Sequence, residues 1–252
     1  MFSPTTQQLI EFYRAVEMEP LVVVDVETTG CDPRRHRVTE VATIHSRGDV
    51  LESIQCTLVN AGDPVPEKIA RFTGITTEML QDAPLSEEIF ASWSGQLEGK
   101  HFVGHHVRFD LGFLVEECHR CGHPLHPLPP TICTVLMARR LFPHLKSRTL
   151  PALKETFSLP VEKSHRAQDD ALACFYLLRR LYEEFHRLSV QELQERFSKE
   201  KLEESQAASL LGMSTTEFKT LWQSDILPPK FFSRQRPIFL RGQLEAYLEA
   251  RK

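Results

Sequence analysis

The chain has 252 residues and a mass of 29.0 kDa, long for one compact domain and short for two large ones. Hydrophobic residues at 41% and charged residues at 25% exclude a disordered or fibrous chain. Apolar runs fall short of the ~20 residues of a membrane span, and the start lacks the basic stretch and apolar core of a secretory signal. A net charge of −4 with pI near 6.3 excludes a polycation that would hold nucleic acid by bulk charge. An acidic site neutralised locally by bound dications stays open. A soluble, cytoplasmic protein is expected, with no membrane partner.

In chain order, Thr6 to Val16 has helical periodicity. Within it, Gln8-Leu9-Ile10-Glu11-Phe12 has two readings, a peptide for a sliding clamp or an ordinary amphipathic helix, and the second is favoured. The β-branched run Leu21 to Val26 predicts a buried strand. Strand-like stretches Val38 to His45 and Val50 to Val59, separated by a Gly48-Asp49 turn, complete an antiparallel meander. Helical patterns follow over Pro66 to Phe72, Ser86 to Leu97 and Leu111 to Cys118, with short strands at His101 to Val103 and Thr131 to Cys133. The four prolines between Cys121 and Pro130 preclude regular structure there. A long helix from about Asp169 to His186 closes the domain. Strands first and helix–strand alternation afterwards indicate an α/β fold, a mixed sheet flanked by helices. The expected organisation is an N-terminal helix over 1–19, a main domain over 20–186, a helical connector over 187–202 and a small module over 203–252.

Six cysteines without disulfide-scaffold density fit a reducing compartment. Cys118 and Cys121 form a CxxC with His123 and His126 close behind, but the spacing is too compact for a usual zinc pattern. The end of a helix explains it as well.

The most informative residues are acidic. Asp25 and Glu27, two apart at the end of the first strand, leave the same face. Two carboxylates pointing together off an apolar strand are costly unless a cation sits between them, and a hard dication suits oxygen donors. Thr28-Thr29-Gly30 follow, the glycine allowing a tight turn and close approach of a ligand. Phe102 to Asp110 then reads as strand, glycine turn and helix start, with Asp110 in the first turn where negative charge is favoured. Further on, His165 lies five residues before Asp170, which opens the long helix; Asp169 suits a helix cap. Each element alone has an ordinary structural explanation.

Together they resemble the DEDDh (DnaQ-like) 3′–5′ exonuclease family, which includes the proofreading epsilon subunit of bacterial DNA polymerase III. Asp25-Val26-Glu27-Thr28-Thr29-Gly30 is similar to the first exonuclease motif, His105 to Asp110 to the second, and His165 to Asp170 to the third, of the His type. Leu58-Val59-Asn60, Pro64 to Glu67, Thr73 to Thr76 and Asp82-Ala83-Pro84 match the linking text in order, so the resemblance covers about residues 20 to 185. His106 departs from the pattern, the family commonly having Asn there. The resemblance implies a ribonuclease H-like fold and a two-metal phosphodiesterase. Asp25, Glu27, Asp110 and Asp170 would hold two Mg²⁺ or Mn²⁺ ions, with His165 as general base. Thr28, Thr29 and Gly30 would line the terminal nucleotide, with Phe109 nearby.

From Ala207 the tail shows a short apolar helix, a Gly212 turn and a Ser/Thr start to a second helix with Phe218, Leu221 and Trp222 on one stripe. Two strand-like segments, Phe231-Phe232 and Pro237 to Leu240, precede a last helix. This resembles the winged helix-turn-helix modules of the excisionase and MerR type. On that reading Thr215, Thr216 and Lys219 start a recognition helix while Arg234 and Arg236 sit on the wing near phosphates. Acidic Glu217 and Asp225 argue the other way, and a protein-docking module is the alternative.

The expected function is metal-dependent removal of nucleoside 5′-monophosphates from DNA 3′ ends, single strands being favoured, in proofreading or repair and with a polymerase or clamp as possible partner. RNA trimming by the same chemistry is the first alternative. A DNA-binding regulator with an inactive exonuclease fold is the second, and the presence of all five catalytic residues weighs against it.

Overall fold

A computed structural model of the chain describes residues 4–161 and 165–251. It divides into two compact units, one of Val16–Met137 with Ser147–Tyr182 and one gathering Ala138–Lys146, Glu183–Lys252 and the N-terminal Met1–Ala15.

The first of these units is built on a five-stranded sheet. α1 (Thr6–Val16) precedes β1 (Pro20–Thr28), β2 (Val38–Arg47) and β3 (Val50–Leu58), which form an antiparallel meander. Four short helices follow: α2 (Glu67–Thr73), α3 (Thr77–Gln81), α4 (Ser86–Phe90) and α5 (Trp93–Leu97). β4 (His101–Gly104) then joins β1 in parallel, and after α6 (Arg108–Arg120), β5 (Thr131–Cys133) joins β4 in parallel. The order is β3-β2-β1-β4-β5, a mixed sheet of the ribonuclease H-like kind that the motifs implied. α7 (Thr134–Leu141), α8 (Leu150–Phe157) and α9 (Ala167–Arg187) complete this stretch of chain.

The β-branched run of β1 lies in the sheet's interior, where Val22, Val24 and Val26 pack with Phe102, Phe113, Phe90 and Trp93. The single helix expected over Ser86 to Leu97 is two, broken at Ala91 and Ser92. Ser92 is a weaker helix former than its neighbours, and Phe90 and Trp93, on either side of the break, pack ring to ring at 5.7 Å. α7 and α8 had no counterpart in the sequence reading. Their eight residues each are too short for a clear period, and Pro151 in the first turn of α8 reads as a breaker unless it is placed at the helix start.

In the other unit, α10 (Val190–Ser198) is capped by Ser189, which accepts from the Glu192 amide while Glu192 accepts from Ser189. The connector expected to run helical to 202 ends there. Residues 201–203 form β6 (Lys201–Glu203), with Leu202 opposite Phe239 in β8. Three residues carry no period, so only the partner strand reveals them. α11 (Glu204–Leu211) and α12 (Thr215–Gln223) flank a turn at Gly212, and β7 (Phe231–Ser233), β8 (Arg236–Leu240) and α13 (Arg241–Glu249) follow. The small sheet runs β6-β8-β7. Phe218 is fully buried against Phe239, with Leu221 and Trp222 packed alongside, as the stripe required. α1 buries Leu9 and Ile10, which leaves Gln8 to Phe12 as an ordinary amphipathic helix and not an accessible clamp peptide. Among the described residues no helix is long and apolar enough to cross a membrane.

Candidate active site

β1 carries the first two site residues. Asp25 and Glu27 project from the strand whose other face is buried valine, and β2 bulges directly after Glu27, where the register slips to Thr28 opposite Val38. A bulge bends the strand and re-aims side chains, a device common beside active sites. The turn beyond it is closed from within. Thr28 Oγ1 donates to the Gly30 carbonyl at 2.7 Å, and Thr29 Oγ1 accepts the Arg37 amide at 2.9 Å. Both threonines are buried, so their hydroxyls hold the turn together. A Cβ at Gly30 would lie 2.3 Å from the His36 ring, so any larger residue there must displace that ring. Arg37 is itself anchored on Glu117, a carboxylate with no exposed surface, at 2.9 Å.

The second motif is placed by β4 and α6. Asp110 sits in the first turn of α6, 3% exposed, and its Oδ1 accepts the Val26 amide at 3.3 Å. This bond ties it to the strand between Asp25 and Glu27. His106 adopts φ +72, a left-handed conformation in which Asn and His are both enriched. The departure from the family's Asn therefore keeps the backbone requirement. His105 is held from both nitrogens, Nδ1 2.9 Å from the Thr134 hydroxyl and Nε2 3.0 Å from the Arg148 carbonyl. Burial and the neighbouring His106 pull its pKa down to about 4. The ring is thus neutral at pH 7, with Nε2 donating to the carbonyl. Phe109 is partly exposed and stacks on Phe113 at 5.0 Å.

The third motif enters from the start of α9. One oxygen each of Asp25, Glu27 and Asp170 lie within 4.8 Å of one another, the metal-capable cluster among the described residues. Asp170 Oδ2 accepts the His165 amide at 3.0 Å. His165 has φ +66, and its ring lies 4.1 Å, centroid to centroid, from Phe72, an aromatic side chain 60% exposed. Asp169 and Asp110 are both outside this three-residue cluster, and Asp110 is joined to it through the Val26 amide, on the strand between Asp25 and Glu27.

The electrostatics of this cluster are those of crowded anions. Burial, reinforced by Asp110, Asp170, Glu27 and Glu40, lifts the Asp25 pKa well above the carboxylate range. Burial, with Asp170 and Glu40, lifts Glu27 to about 7, and Asp110 and Asp170 are raised by burial as well. Such repulsion is relieved by a cation, and an all-carboxylate donor set fits a hard divalent ion. The CxxC does not offer a comparable site: Cys118 faces the core and burial pushes its thiol up to about 12, away from the thiolate a metal needs.

Two residues near the cluster escaped the sequence reading. Glu40 on β2 lies opposite Glu27, and Lys154 on α8 is buried with its charge acting on Asp170. Neither belongs to a motif, and each reaches the site through pairing or packing that spacing does not show.

The five proposed DNA contacts of the C-terminal unit are all exposed: Thr215, Thr216 and Lys219 on α12, Arg234 and Arg236 at the β7–β8 hairpin. Arg234 and Gln235 both adopt positive φ, 47° and 65°, between the paired Ser233 and Arg236. This is a two-residue hairpin turn of the kind whose twist matches the strands.

Comparison with known proteins agrees with this geometry. The chain is 29% identical over 244 residues to a PolC-type DNA polymerase III of Bacillus subtilis, covering 94% of this chain but 17% of that protein. It is 32% identical over 164 residues to the DNA polymerase III subunit epsilon of Aquifex aeolicus, covering 65% of this chain and 80% of that protein. In fold it is similar to Exonuclease X in complex with 5′ overhanging duplex DNA, with TM-score 0.52 at 24% identity over 70% of this chain and 98% of that one. It is also similar to E. coli Exonuclease I in complex with a dT13 oligonucleotide, with TM-score 0.61 at 15% identity over 67% of this chain and 42% of that one. Residues 22–178, which hold Asp25, Glu27, Asp110 and Asp170, match the RNase_T exonuclease family, and the chain belongs to it.

Proposed function

We propose that this chain is a cytoplasmic, metal-dependent 3′–5′ exonuclease that releases nucleoside 5′-monophosphates from DNA 3′ ends. The observation that carries the reading is the convergence of Asp25, Glu27 and Asp170 within 4.8 Å, with Asp110 beside them and the His165 amide on Asp170. Asp25, Glu27, Asp110 and Asp170 would hold two Mg²⁺ or Mn²⁺ ions, which supply a nucleophilic water and neutralise charge on the leaving oxygen. An imidazole nitrogen of His165 takes the proton from the attacking water as the new O–P bond forms. The P–O3′ bond breaks, and the 3′ oxygen of the shortened strand takes a proton from solvent. Phe72 and Phe109 offer exposed rings on which terminal bases can stack. Single-stranded DNA is the favoured substrate, and the epsilon and PolC-type relatives support work alongside a polymerase, in proofreading or repair. Oligomers of DNA and RNA with one sequence, each labelled at the 5′ end and incubated with Mg²⁺, test the substrate assignment. Faster shortening of the DNA supports it, and preferential shortening of the RNA assigns the chain to RNA trimming.

The C-terminal unit supports a second role, phosphate contact by a winged helix-turn-helix. Glu217, whose charge weighs against DNA, is used as a cap, accepting from the Ser214 amide at 2.8 Å and from its hydroxyl at 2.6 Å. The Arg234–Gln235 turn presents basic charge at a hairpin tip. Replacing Arg234 and Arg236 by Ala should lower duplex affinity measured in Ca²⁺ and flatten its log–log salt slope by about 2. An unchanged slope would favour a protein-docking module.

A further inference from the structure

Glu40 is in none of the three motifs, yet it is only 1% exposed. Its carboxylate is engaged mainly by the third motif, with the Cys56 thiol beside it. The Arg166 guanidinium grips both oxygens, with Nε 3.2 and 3.1 Å from Oε1 and Oε2 and Nη2 also on Oε1. The amide of Ala167, the first residue of α9, donates to Oε2 at 2.9 Å. Both partners lie between His165 and Asp170 in the chain. The segment they occupy bends sharply, His165 being left-handed and its amide turned onto Asp170. Glu40 itself stands on β2, an interior strand, directly across from Glu27. One buried carboxylate on a rigid strand therefore holds the backbone that links the histidine to the aspartate.

We propose that Glu40 is a positioning residue for the exonuclease site, fixing through Arg166 and Ala167 the place at which the third motif presents His165 and Asp170. The inference rests on the exonuclease reading and deepens it. A guanidinium–carboxylate fork fixes orientation as well as distance, which a lysine in place of Arg166 does not. The amide bond adds a second fixed point one residue on, so the helix start can neither slide nor rotate without breaking a buried contact. Partners of this kind, which orient groups that touch a metal, typically contribute 10- to 100-fold in activity or metal affinity.

The test compares the full chain with Glu40→Gln, Arg166→Gln, Arg166→Lys and the double variant Glu40→Gln/Arg166→Gln. The double variant leaves no unpaired buried charge and should fold even if Glu40→Gln does not. Three quantities are read: melting temperature, kcat and KM on a short single-stranded DNA with Mg²⁺, and the Mn²⁺ affinity of the substrate-free protein by calorimetry. The folded double variant should lose roughly 10- to 100-fold in kcat with KM within about twofold, and should bind Mn²⁺ several-fold more weakly. Its loss should not exceed that of the worse single variant, because both changes remove one contact. Arg166→Lys should behave like Arg166→Gln. A folded double variant with kcat and Mn²⁺ affinity within twofold of wild type would overturn the proposal, as would losses that vanish at temperatures where every variant is folded. If wild type itself shows no turnover, the exonuclease reading fails. The Mn²⁺ titration then still decides, equal affinities overturning the role of Glu40 and weakened affinity supporting it.

Discussion

Glu27 and Glu40 face each other across the β1–β2 ladder, two like charges in register on one side of the sheet. Directly opposed like charges destabilise a sheet. Arg166 and the Ala167 amide engage Glu40 directly, whereas Glu27 has only the charge of Arg166 nearby and stays crowded by Asp25 and Asp170. Glu27 is therefore retained at a cost to the metal-free fold. Glu27→Gln should raise the melting temperature of the metal-free protein by about 2–4 °C, the scale of ~1 kcal/mol in a chain of this size. The same change should lower turnover by at least about 10²-fold. Thermal melts in chelator and a nuclease assay in Mg²⁺ check the two halves together.

The pH dependence follows from the same crowding. Asp25, Glu27, Asp110 and Asp170 all have folded-state pKa values above their ordinary ones. The stability linked to such groups is fully present below the ordinary values and is lost as pH rises through the raised ones, for Glu27 between 4.5 and about 7. His105 acts in the opposite sense: its pKa of about 4 costs stability as pH falls below 6.5. Metal binding cancels the carboxylate repulsion and leaves His105 untouched. The rise in melting temperature on adding Mn²⁺ should therefore be several degrees larger at pH 8 than at pH 5.5. Equal rises at both pH values would contradict the carboxylate assignment.

His165→Ala should lower kcat by roughly 10²- to 10⁴-fold with the fold intact, the usual contribution of a general base. Asp169→Ala should cost far less, since Asp170 and not Asp169 meets Asp25 and Glu27 and accepts the His165 amide. Single-turnover rates of the two variants at saturating DNA make the comparison, and an essential Asp169 would mean that the third motif is misplaced.

What was legible beforehand was what local pattern encodes. The valines of β1, the Gly48-Asp49 turn and the i, i+2 spacing of Asp25 and Glu27 are local, and the sheet and its carboxylates follow from them. The resemblance supplied Asp110, Asp170 and His165, whose convergence no spacing could give. Glu40 and β6 stayed hidden because each is defined by a partner far away in the chain, and Lys154 because it reaches Asp170 only through the packing of α8. Arg166 is 126 residues from Glu40, and Leu202 becomes a strand residue only opposite Phe239. The left-handed His106 hid differently, because a conformation suited to Asn appears in the sequence only as an odd substitution.

A second buried charge group, within the C-terminal unit, sets the stability of that part of the chain. Glu200 lies between Arg140, at 3.0 Å, and Arg241, at 2.7 Å, and Arg140 also donates to the Tyr13 hydroxyl at 2.6 Å. Burial pushes the Glu200 pKa up, and the two guanidinium groups outweigh it and hold it below its ordinary value. Glu200→Gln leaves two buried arginines short of their counter-charge and should destabilise by about 3–5 kcal/mol. Glu195→Gln, which breaks the exposed pair with Lys199, should leave the urea midpoint nearly unchanged. Urea melts of the two variants give the contrast.

On this reading the carboxylates of β1, α6 and α9 form a metal-dependent site that shortens DNA from its 3′ end. The most direct measurement follows a single-stranded DNA oligomer labelled at its 5′ end, incubated with the purified chain in Mg²⁺, in excess chelator, and with the Asp25→Asn variant in Mg²⁺. Wild type in Mg²⁺ should give a ladder of products one nucleotide apart and release nucleoside 5′-monophosphates, and the DNA should stay intact in the other two. Shortening that persists in chelator or with Asp25→Asn, or products that begin in the strand interior, would contradict it.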